Sequence, residues 1–310
     1  MHLFLPTSLP ANRPLPAAER LALKGYSVEY YPLGGELPAP KAGDRIVGVL
    51  NLMPLKEVTE LDILRAIAPT EGRRNVVVML LKFPGQTYKN TPHEHMDDFY
   101  VPVAEFLELT KGRETAARLI VTGAPLEKIA FEEVRYWTEL CQLMDAARRR
   151  KLYTLYICWA AQAALYHRYG IEKRLLPEKQ FGIYTQHVLR PEHPLMQGLG
   201  GAFPMPVSRH TDIAVPAPLP EALAVLAASP VTGEAILADD GFAAYITGHL
   251  EYEPLTLHKE YVRDLSRGLP IRPAEGYYPN NDPSQTPPYV WQRSARQFYD
   301  NFLWGEGAFE

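Results

Sequence analysis

The feature that most constrains the fold of this chain is an alternation of short apolar runs with stretches of helical spacing. Runs rich in β-branched side chains at residues 45–53, 75–83 and 116–125 predict buried strands, and the apolar spacing of residues 56–67 predicts a helix. Because strands alternating with helices are typical of βαβ units, we predict an α/β fold with a doubly wound, mostly parallel sheet. In such sheets ligands bind beyond the carboxyl ends of the strands.

The rest of the chain continues this pattern. Residues 131–150 predict an amphipathic helix whose basic side chains lie at its carboxyl end, where the helix dipole favours them. Residues 152–170 predict a fourth strand with its helix, residues 234–253 a hairpin around an Asp-Asp-Gly turn, and residues 255–268 a helix. Three of the predicted strands end in small or reactive residues, in the sequences VTGAP, YICWA and YITGH.

Proline marks the two ends of the chain. Seven prolines fall within the first 40 residues, so we predict an extended N-terminal arm over residues 1–44 and a single α/β domain over residues 45–310. A second proline cluster, at residues 270–288, predicts a long ordered loop.

Charge and composition exclude several classes of protein. The 32 lysines and arginines against 36 acidic residues give a net charge of −4, so nothing favours nucleic acid or an anionic membrane as a partner. The longest apolar run, about residues 76–81, is far short of the roughly 20 residues that a bilayer span needs. Two cysteines form no disulfide framework and fit a reducing compartment. We therefore expect a cytoplasmic protein with no bound metal.

Cys158 stands where the fourth predicted strand gives way to a helix that begins near Trp159. At such a turn the free N–H groups and the positive end of the helix dipole favour a thiolate and can hold an oxyanion, as in a nucleophile elbow. A cysteine that closes an apolar strand is more often a small buried hydrophobic residue, so position alone leaves both interpretations open. Cys141 has the helical spacing of a core residue, and we interpret it as structural.

His249 is the histidine best placed to act as a base. It follows another predicted strand end, and Glu251 lies two residues further on, on the same side of an extended chain. That carboxylate can orient the imidazole and fix its tautomer. A single histidine here would more often be structural. Three reactive residues at strand ends together favour a triad of Cys158, His249 and Glu251, in the chain order of class I glutamine amidotransferases.

Several segments, in order, carry a resemblance to a known family over about residues 47–283. They are NLMPLK (51–56), NTPHEHMDDFY (90–100), VTGAPLEKIAFEEVRYW (121–137), YICWAAQAAL (156–165), SRHTD (208–212), TGHLEY (247–252) and NNDP (280–283). On these segments the chain resembles the homoserine O-acyltransferase family of methionine biosynthesis, usually labelled homoserine O-succinyltransferases.

The resemblance implies a class I glutamine amidotransferase-like fold, flavodoxin-like in topology, and a ping-pong acyl transfer. Cys158 would take an acyl group from acyl-CoA as a thioester, with His249 as base and Glu251 as its orienting partner. The hydroxyl of L-homoserine would then attack. Acyl-CoA is a co-substrate in this scheme and no cofactor is bound. The partners are small molecules, and the family likeness suggests a homodimer.

Further residues match family positions. Lys56, in NLMPLK, is expected among the catalytic residues. Three residues match substrate-contacting positions: Lys179, Ser208 and Arg263. Arg209, next to Ser208, is expected to bind substrate with them. An arginine such as Arg263 can hold an amino-acid carboxylate through two hydrogen bonds. The oxyanion N–H groups are expected at Gly123 or Ala124 in the VTGAP turn and at Trp159.

Glu127 follows VTGAPL, where the family divides by acyl donor. Glycine there goes with succinyl-CoA and glutamate with acetyl-CoA. A fixed carboxylate fills space and repels the distal carboxylate of a succinyl group. The resemblance therefore favours a homoserine O-acetyltransferase that uses acetyl-CoA, with succinyl-CoA as the alternative donor.

The sequence also departs from the family pattern. Leu250 replaces a proline, Asp62 stands where an amide is expected, and WQRSARQFYDNFL lacks a histidine after its serine. These departures keep serine or a related hydroxy amino acid open as the acceptor. Rival interpretations are a non-catalytic binding protein and a glutamine amidotransferase-type hydrolase. The hydrolase usually has glycines on both sides of the nucleophile, where this chain has Tyr156 and Ala160.

Overall fold

In the computed structural model, which describes residues 2–8, 14–35, 37–38, 41, 43–69, 74–239 and 242–305, the chain divides into two units. The first unit is Met1–Tyr156 and the second is Ile157–Glu310. Within the described residues, no helix is both long enough and apolar enough to cross a membrane. The same residues contain no group of three or more histidine, cysteine or acidic side chains arranged to hold a metal ion.

The first unit is built on a parallel sheet. Its strands are β1 (Leu3–Thr7), β2 (Val28–Pro32), β3 (Arg45–Leu50), β4 (Val76–Lys82), β5 (Tyr100–Pro102), β6 (Ala117–Val121) and β7 (Tyr153–Ile157). They are ordered β2-β1-β4-β3-β6-β7, and β5 pairs with β4. β3, β4 and β6 are buried almost throughout, as expected of strands covered on both faces. The strands predicted at residues 45–53, 75–83 and 116–125 are confirmed, with ends a few residues shorter.

The helices of the first unit are α1 (Pro16–Leu23), α2 (Lys56–Ile67), α3 (His93–Phe99), α4 (Val103–Leu109) and α5 (Trp137–Arg149). The bounds of α2 are those predicted. The helix predicted over residues 131–150 is shorter, because a 3-10 turn at Phe131–Glu133 is followed by extended backbone at Val134. Stacking of Phe131 on Trp137, with ring centroids 5.5 Å apart, accompanies this break.

The segment predicted as an extended arm contains regular structure in its described residues. β1 lies between β2 and β4 and pairs in parallel with both. This segment forms a strand of the sheet because pairing there buries its apolar side chains, and Leu3 and Leu5 are fully buried. The division into residues 1–44 and 45–310 stays a prediction.

The second unit combines helices with antiparallel strands. Its strands are β8 (Lys173–Val188), β9 (Ala202–Ile213), β10 (Leu223–Ser229), β11 (Gly233–Asp239) and β12 (Ala243–Ile246), ordered β12-β11-β10-β8-β9. Its helices are α6 (Trp159–Tyr169), α7 (Thr256–Ser266) and α8 (Gln292–Trp304). The predicted α/β class is confirmed. The predicted hairpin is β11–β12, and its turn residues Asp240 and Gly241 lie outside the described residues.

Candidate active site

Cys158 occupies the turn between β7 and α6, as the sequence predicts. Its backbone has φ 53° and ψ −115°, a conformation that side-chain-bearing residues rarely adopt and that costs about 1–3 kcal/mol. Two backbone hydrogen bonds hold it: the Cys158 N–H donates to the Ile246 carbonyl at 2.7 Å, and the Gln162 N–H donates to the Cys158 carbonyl at 3.1 Å. Trp159 follows directly as the first residue of α6. The thiol therefore lies at the N-terminus of a helix, where the dipole favours a negative charge.

His249 and Glu251 lie just beyond the end of β12, and both are buried. Nδ1 of His249 is 2.6 Å from Oε1 of Glu251, and the imidazole also hydrogen-bonds the thiol of Cys158. With Nδ1 engaged by Glu251, Nε2 is the nitrogen left for the sulfur. Burial alone lowers the pKa of His249, but the charges and hydrogen bonds of Glu251 and Cys158 outweigh it and hold this pKa well above its usual value. The structure thus brings the three predicted triad residues into one hydrogen-bonded chain.

The backbone around His249 is fixed from β9. The His249 N–H donates to the Pro206 carbonyl at 2.8 Å. At Gly248 a Cβ atom would lie 2.5 Å from the Met205 side chain and 2.7 Å from the Pro206 carbonyl oxygen. Only glycine allows this close approach, so Gly248 helps to set the position of the histidine.

Tyr252 covers the face of the imidazole. The rings of Tyr252 and His249 are nearly parallel, at 12°, with centroids 4.1 Å apart. The Tyr252 carbonyl accepts a hydrogen bond from the indole N–H of Trp291, just before α8, at 3.0 Å. Sequence reasoning missed Tyr252, although an aromatic residue directly after the triad glutamate was a signal for it.

Three predicted substrate residues converge on one carboxylate that sequence reasoning missed. Lys179 Nζ lies 2.7 Å from Glu260 Oε1, the Ser208 hydroxyl donates to the same oxygen at 2.9 Å, and an Arg263 nitrogen lies 3.5 Å from it. Asp264 joins them, 3.4 Å from Lys179 and 2.7 Å from Arg263. We name Lys179, Ser208, Glu260, Arg263 and Asp264 the acid–base cluster. Sequence reasoning had no signal for Glu260, because acidic and basic residues alternate along α7 as they do on a solvated helix.

Arg209 is not part of this cluster. Neighbouring residues of a strand point to opposite faces, so Arg209 lies on the other side of β9 from Ser208. It is buried, its Nε donates to the Gln180 side chain at 2.8 Å, and it pairs with Asp212 at 3.0 Å. Burial lowers the pKa of Arg209, and Asp212 partly offsets this. Through its bond to Gln180 of β8, Arg209 connects β8 to β9.

The remaining predicted site residues belong to the first unit. Lys56 is the first residue of α2 and lines a cavity of about 250 Å³. Its amine donates to the Asn51 carbonyl and lies 4.8 Å from the centre of the Tyr88 ring. Burial lowers its pKa to about 8, against the opposing charge of Glu60. A buried amine that loses its proton so readily is suited to proton transfer.

Gly123, Ala124 and Glu127 follow β6. Gly123 and Ala124 are buried, and Glu127 is partly exposed. Cys141, the second cysteine, lies in α5, and burial raises its pKa to about 11. Its thiol therefore stays protonated at neutral pH. The side chain is half-buried rather than in the core, and its structural role stays a prediction.

Comparisons with known proteins agree on one family. A family model described as homoserine O-succinyltransferase matches residues 43–305. The chain is similar to the homoserine O-acetyltransferase of Bacteroides fragilis, with 44% identity over 84% of this chain and 83% of that one. It is equally similar to the homoserine O-acetyltransferase of Parabacteroides distasonis, with 44% identity over 83% of this chain and 81% of that one.

A comparison of structures identifies the fold. The chain resembles a glutamine amidotransferase from Thermotoga maritima, with a TM-score of 0.53 over 84% of this chain and 98% of that one. At 13% sequence identity this likeness establishes the fold alone. The predicted class I glutamine amidotransferase-like architecture is confirmed.

Proposed function

The chain belongs to the homoserine O-succinyltransferase family, an enzyme family of acyl transfer, and from that premise we propose that it is a homoserine O-acetyltransferase of methionine biosynthesis that works through a thioester on Cys158. The observation that carries the proposal is the buried hydrogen-bonded chain from the thiol through His249 to Glu251. A thiol, a base and an orienting carboxylate are the parts that acyl transfer needs. The substrates are small molecules, acyl-CoA and an amino acid.

The first half-reaction loads the enzyme. The raised pKa of His249 favours movement of the thiol proton to the imidazole, leaving a thiolate beside the N-terminus of α6. The sulfur attacks the thioester carbonyl of acetyl-CoA, and the oxyanion is held by N–H groups that we assign to Trp159 and to the turn at Gly123 and Ala124. The carbon–sulfur bond to CoA then breaks, and the leaving thiolate takes the proton from His249. The exchange of one thioester for another leaves an acetyl group on Cys158.

The second half-reaction unloads it. His249, now neutral, accepts the proton of the homoserine hydroxyl while that oxygen attacks the acetyl carbon. The new ester bond forms, the bond to Cys158 breaks, and the sulfur regains its proton from His249. We assign Lys56 a role in proton transfer in this reaction, because its pKa of about 8 lets it give or take a proton near neutral pH.

The acid–base cluster supplies the contacts that an amino acid requires. The carboxylate of Glu260 accepts from an ammonium group, and Arg263, with its side chain 45% exposed, still has donors to offer a carboxylate. Both groups are shared by homoserine and serine, so the cluster favours an amino-acid acceptor of this type. Family membership favours homoserine. Arg209, on the other face of β9 from Ser208, is buried and connects β8 to β9, and the charge of Cys158 acts on its pKa as well as that of Asp212.

The donor assignment depends on Glu127. A carboxylate there repels the distal carboxylate of a succinyl group, and the named relatives of this chain are acetyltransferases. The Glu127→Gly variant should shift the ratio of catalytic efficiencies toward succinyl-CoA by about tenfold or more, since two charges about 4 Å apart repel by 1–4 kcal/mol at a protein surface. A wild-type enzyme that prefers succinyl-CoA would refute this assignment.

Intact mass spectrometry tests the whole scheme. Acetyl-CoA should add one acetyl group to the wild type and to Cys141→Ser, and none to Cys158→Ser. Homoserine should then remove the group faster than serine does. An adduct that persists in Cys158→Ser refutes the proposed nucleophile, and ammonia released from glutamine would indicate an amidotransferase instead. We further propose that the enzyme acts in the cytoplasm as a homodimer, which analytical ultracentrifugation would test.

A further inference from the structure

A groove of about 600 Å³ in the second unit is given no ligand in the scheme above. That volume is within the range of about 300–1,000 Å³ usual for small-molecule sites. Phe181 and Tyr184 of β8 and His210 of β9 line it together with two proline-flanked segments, residues 177–179 and 270–273. The second of these segments belongs to the proline-rich loop predicted from the sequence.

The loop is held against β8 by backbone contacts. The Glu275 N–H donates to the Phe181 carbonyl at 2.9 Å, and the Ile183 N–H donates to the Glu275 carbonyl at 2.8 Å. Between them, a Cβ on Gly182 would lie 2.4 Å from the Glu275 carbonyl oxygen, so the approach requires glycine. The Tyr184 hydroxyl also donates to Glu275 at 3.0 Å. The groove is therefore a built part of the fold.

One strand connects the groove to the proposed chemistry. Along β9, the Pro206 carbonyl holds the His249 backbone, the Ser208 hydroxyl contacts Glu260, and His210 lines the groove. At about 3.3 Å per residue, Pro206 and His210 are roughly 13 Å apart. Lys179 belongs to both places, because it pairs with Glu260 and also lines the groove over the Phe181 ring.

The lining suits a long, neutral ligand that carries amides. Its charged side chains are two cations, Lys179 and Arg272, and two anions, Glu178 and Glu275. Such a balance gives no attraction for several phosphates, whereas prolines, Ile271 and aromatic rings favour an uncharged chain. The carboxylates accept amide N–H groups, and the exposed Arg272 donates to carbonyl oxygens.

We propose that this groove binds the pantetheine arm of the acyl-CoA donor, with the nucleotide outside it. The proposal rests on the acyl transfer proposed above. Because Lys179 faces both the groove and the acid–base cluster, donor and amino acid compete for one space. They must then bind in turn, which is the order that a ping-pong transfer requires. High concentrations of acceptor should inhibit by occupying the unloaded enzyme.

The test compares a full donor with a truncated one. Ile271→Trp in the proline-rich loop and His210→Trp in β9 both add bulk to the lining of the groove, and Leu189→Trp makes the same change at an exposed residue outside it. Each filled variant should lower kcat/KM for acetyl-CoA by about tenfold or more, because remote binding energy is lost. Acetylation of Cys158 by N,S-diacetylcysteamine, which lacks most of the arm, should be unchanged in the filled variants. The rates with both donors should be unchanged in Leu189→Trp.

Calorimetric binding of desulfo-CoA, which needs no reaction at Cys158, separates the two proposals. Weaker binding to both filled variants, with Leu189→Trp equal to the wild type, supports the groove even if no acyl-enzyme forms. An absent acyl-enzyme with both donors in the wild type refutes only the proposed function. Wild-type affinity for desulfo-CoA in both filled variants, or an equal loss of rate with the two donors, overturns the groove assignment.

Discussion

Replacing Glu251 by glutamine removes one charge from the buried triad while keeping the shape of the side chain. The carboxylate oxygen lies 2.6 Å from Nδ1 of His249, which places the two centres of charge about 4 Å apart. At an effective dielectric constant of about 20, this separation corresponds to about 4 kcal/mol in favour of the imidazolium. Loss of that energy should lower the pKa of His249.

The sign of the pH effect follows from this shift. In the wild type the charge of Glu251 raises the pKa of His249, so the imidazole takes up the thiol proton of Cys158 more readily. In Glu251→Gln the imidazole binds the proton less tightly, and the proton returns to the sulfur. The rate of alkylation of Cys158 by iodoacetamide at neutral pH should fall by about a hundredfold to a thousandfold.

Alkylation is measured by intact mass over a range of pH in a Cys141→Ser background, so that a single thiol reports. Glu192→Gln, the same change at an exposed residue of the second unit, serves as the control and should leave the profile unchanged. A Glu251→Gln profile within about threefold of the wild type across the pH range would mean that the carboxylate does not set the charge of the triad.

Burial lowers the pKa of Lys56 from 10.5 to about 8, so Lys56→Met should raise the free energy of unfolding in urea by up to about 3 kcal/mol at neutral pH. That gain in the free energy of unfolding should fade as the pH rises from 8 to 10.5. An equal gain at pH 8 and at pH 10.5 would contradict the inference that burial lowers the pKa of Lys56. Gly248→Ala should cost about 1–3 kcal/mol in the same titration, whereas Gly201→Ala, with open space around it, should cost less than 1 kcal/mol. Tyr252→Leu should lower kcat about threefold to tenfold with little change in KM and shift the alkylation pH profile of Cys158, because a stacked pair contributes about 0.5–1.5 kcal/mol. Tyr252→Phe keeps the stack and should restore both, and failure of this rescue would contradict a positioning role.

Local patterns predicted much of this fold and the residues at the centre of the candidate site. The spacing of apolar side chains gave α2 with its observed bounds, Lys56–Ile67, because an amphipathic helix carries its period in its own sequence. The position of Cys158 in a turn was predicted because the residue pattern changes visibly where a strand ends and a helix begins. His249 and Glu251 were paired because two residues along an extended chain return to the same side.

Local sequence patterns did not predict the pairing of strands that are distant in the sequence. β8 runs for 16 residues with Pro177 and several charges in it, and its pairing with β9 is irregular between Leu175 and Gln180. An interrupted alternation of this kind conceals a strand from a sequence reading. Glu260 was missed for a related reason. On a helix as charged as α7 an acid is expected to face water, and only its partners on β8 and β9 distinguish it.

The backbone conformation of Cys158 has a consequence for how such an enzyme can change. Glycine would adopt φ 53° without penalty, so a substitution that removes the proposed nucleophile would also relieve local strain. Selection for thermostability alone would therefore favour substitutions of residue 158 that inactivate the protein. Screens for thermostability should hold residue 158 fixed or score turnover alongside melting.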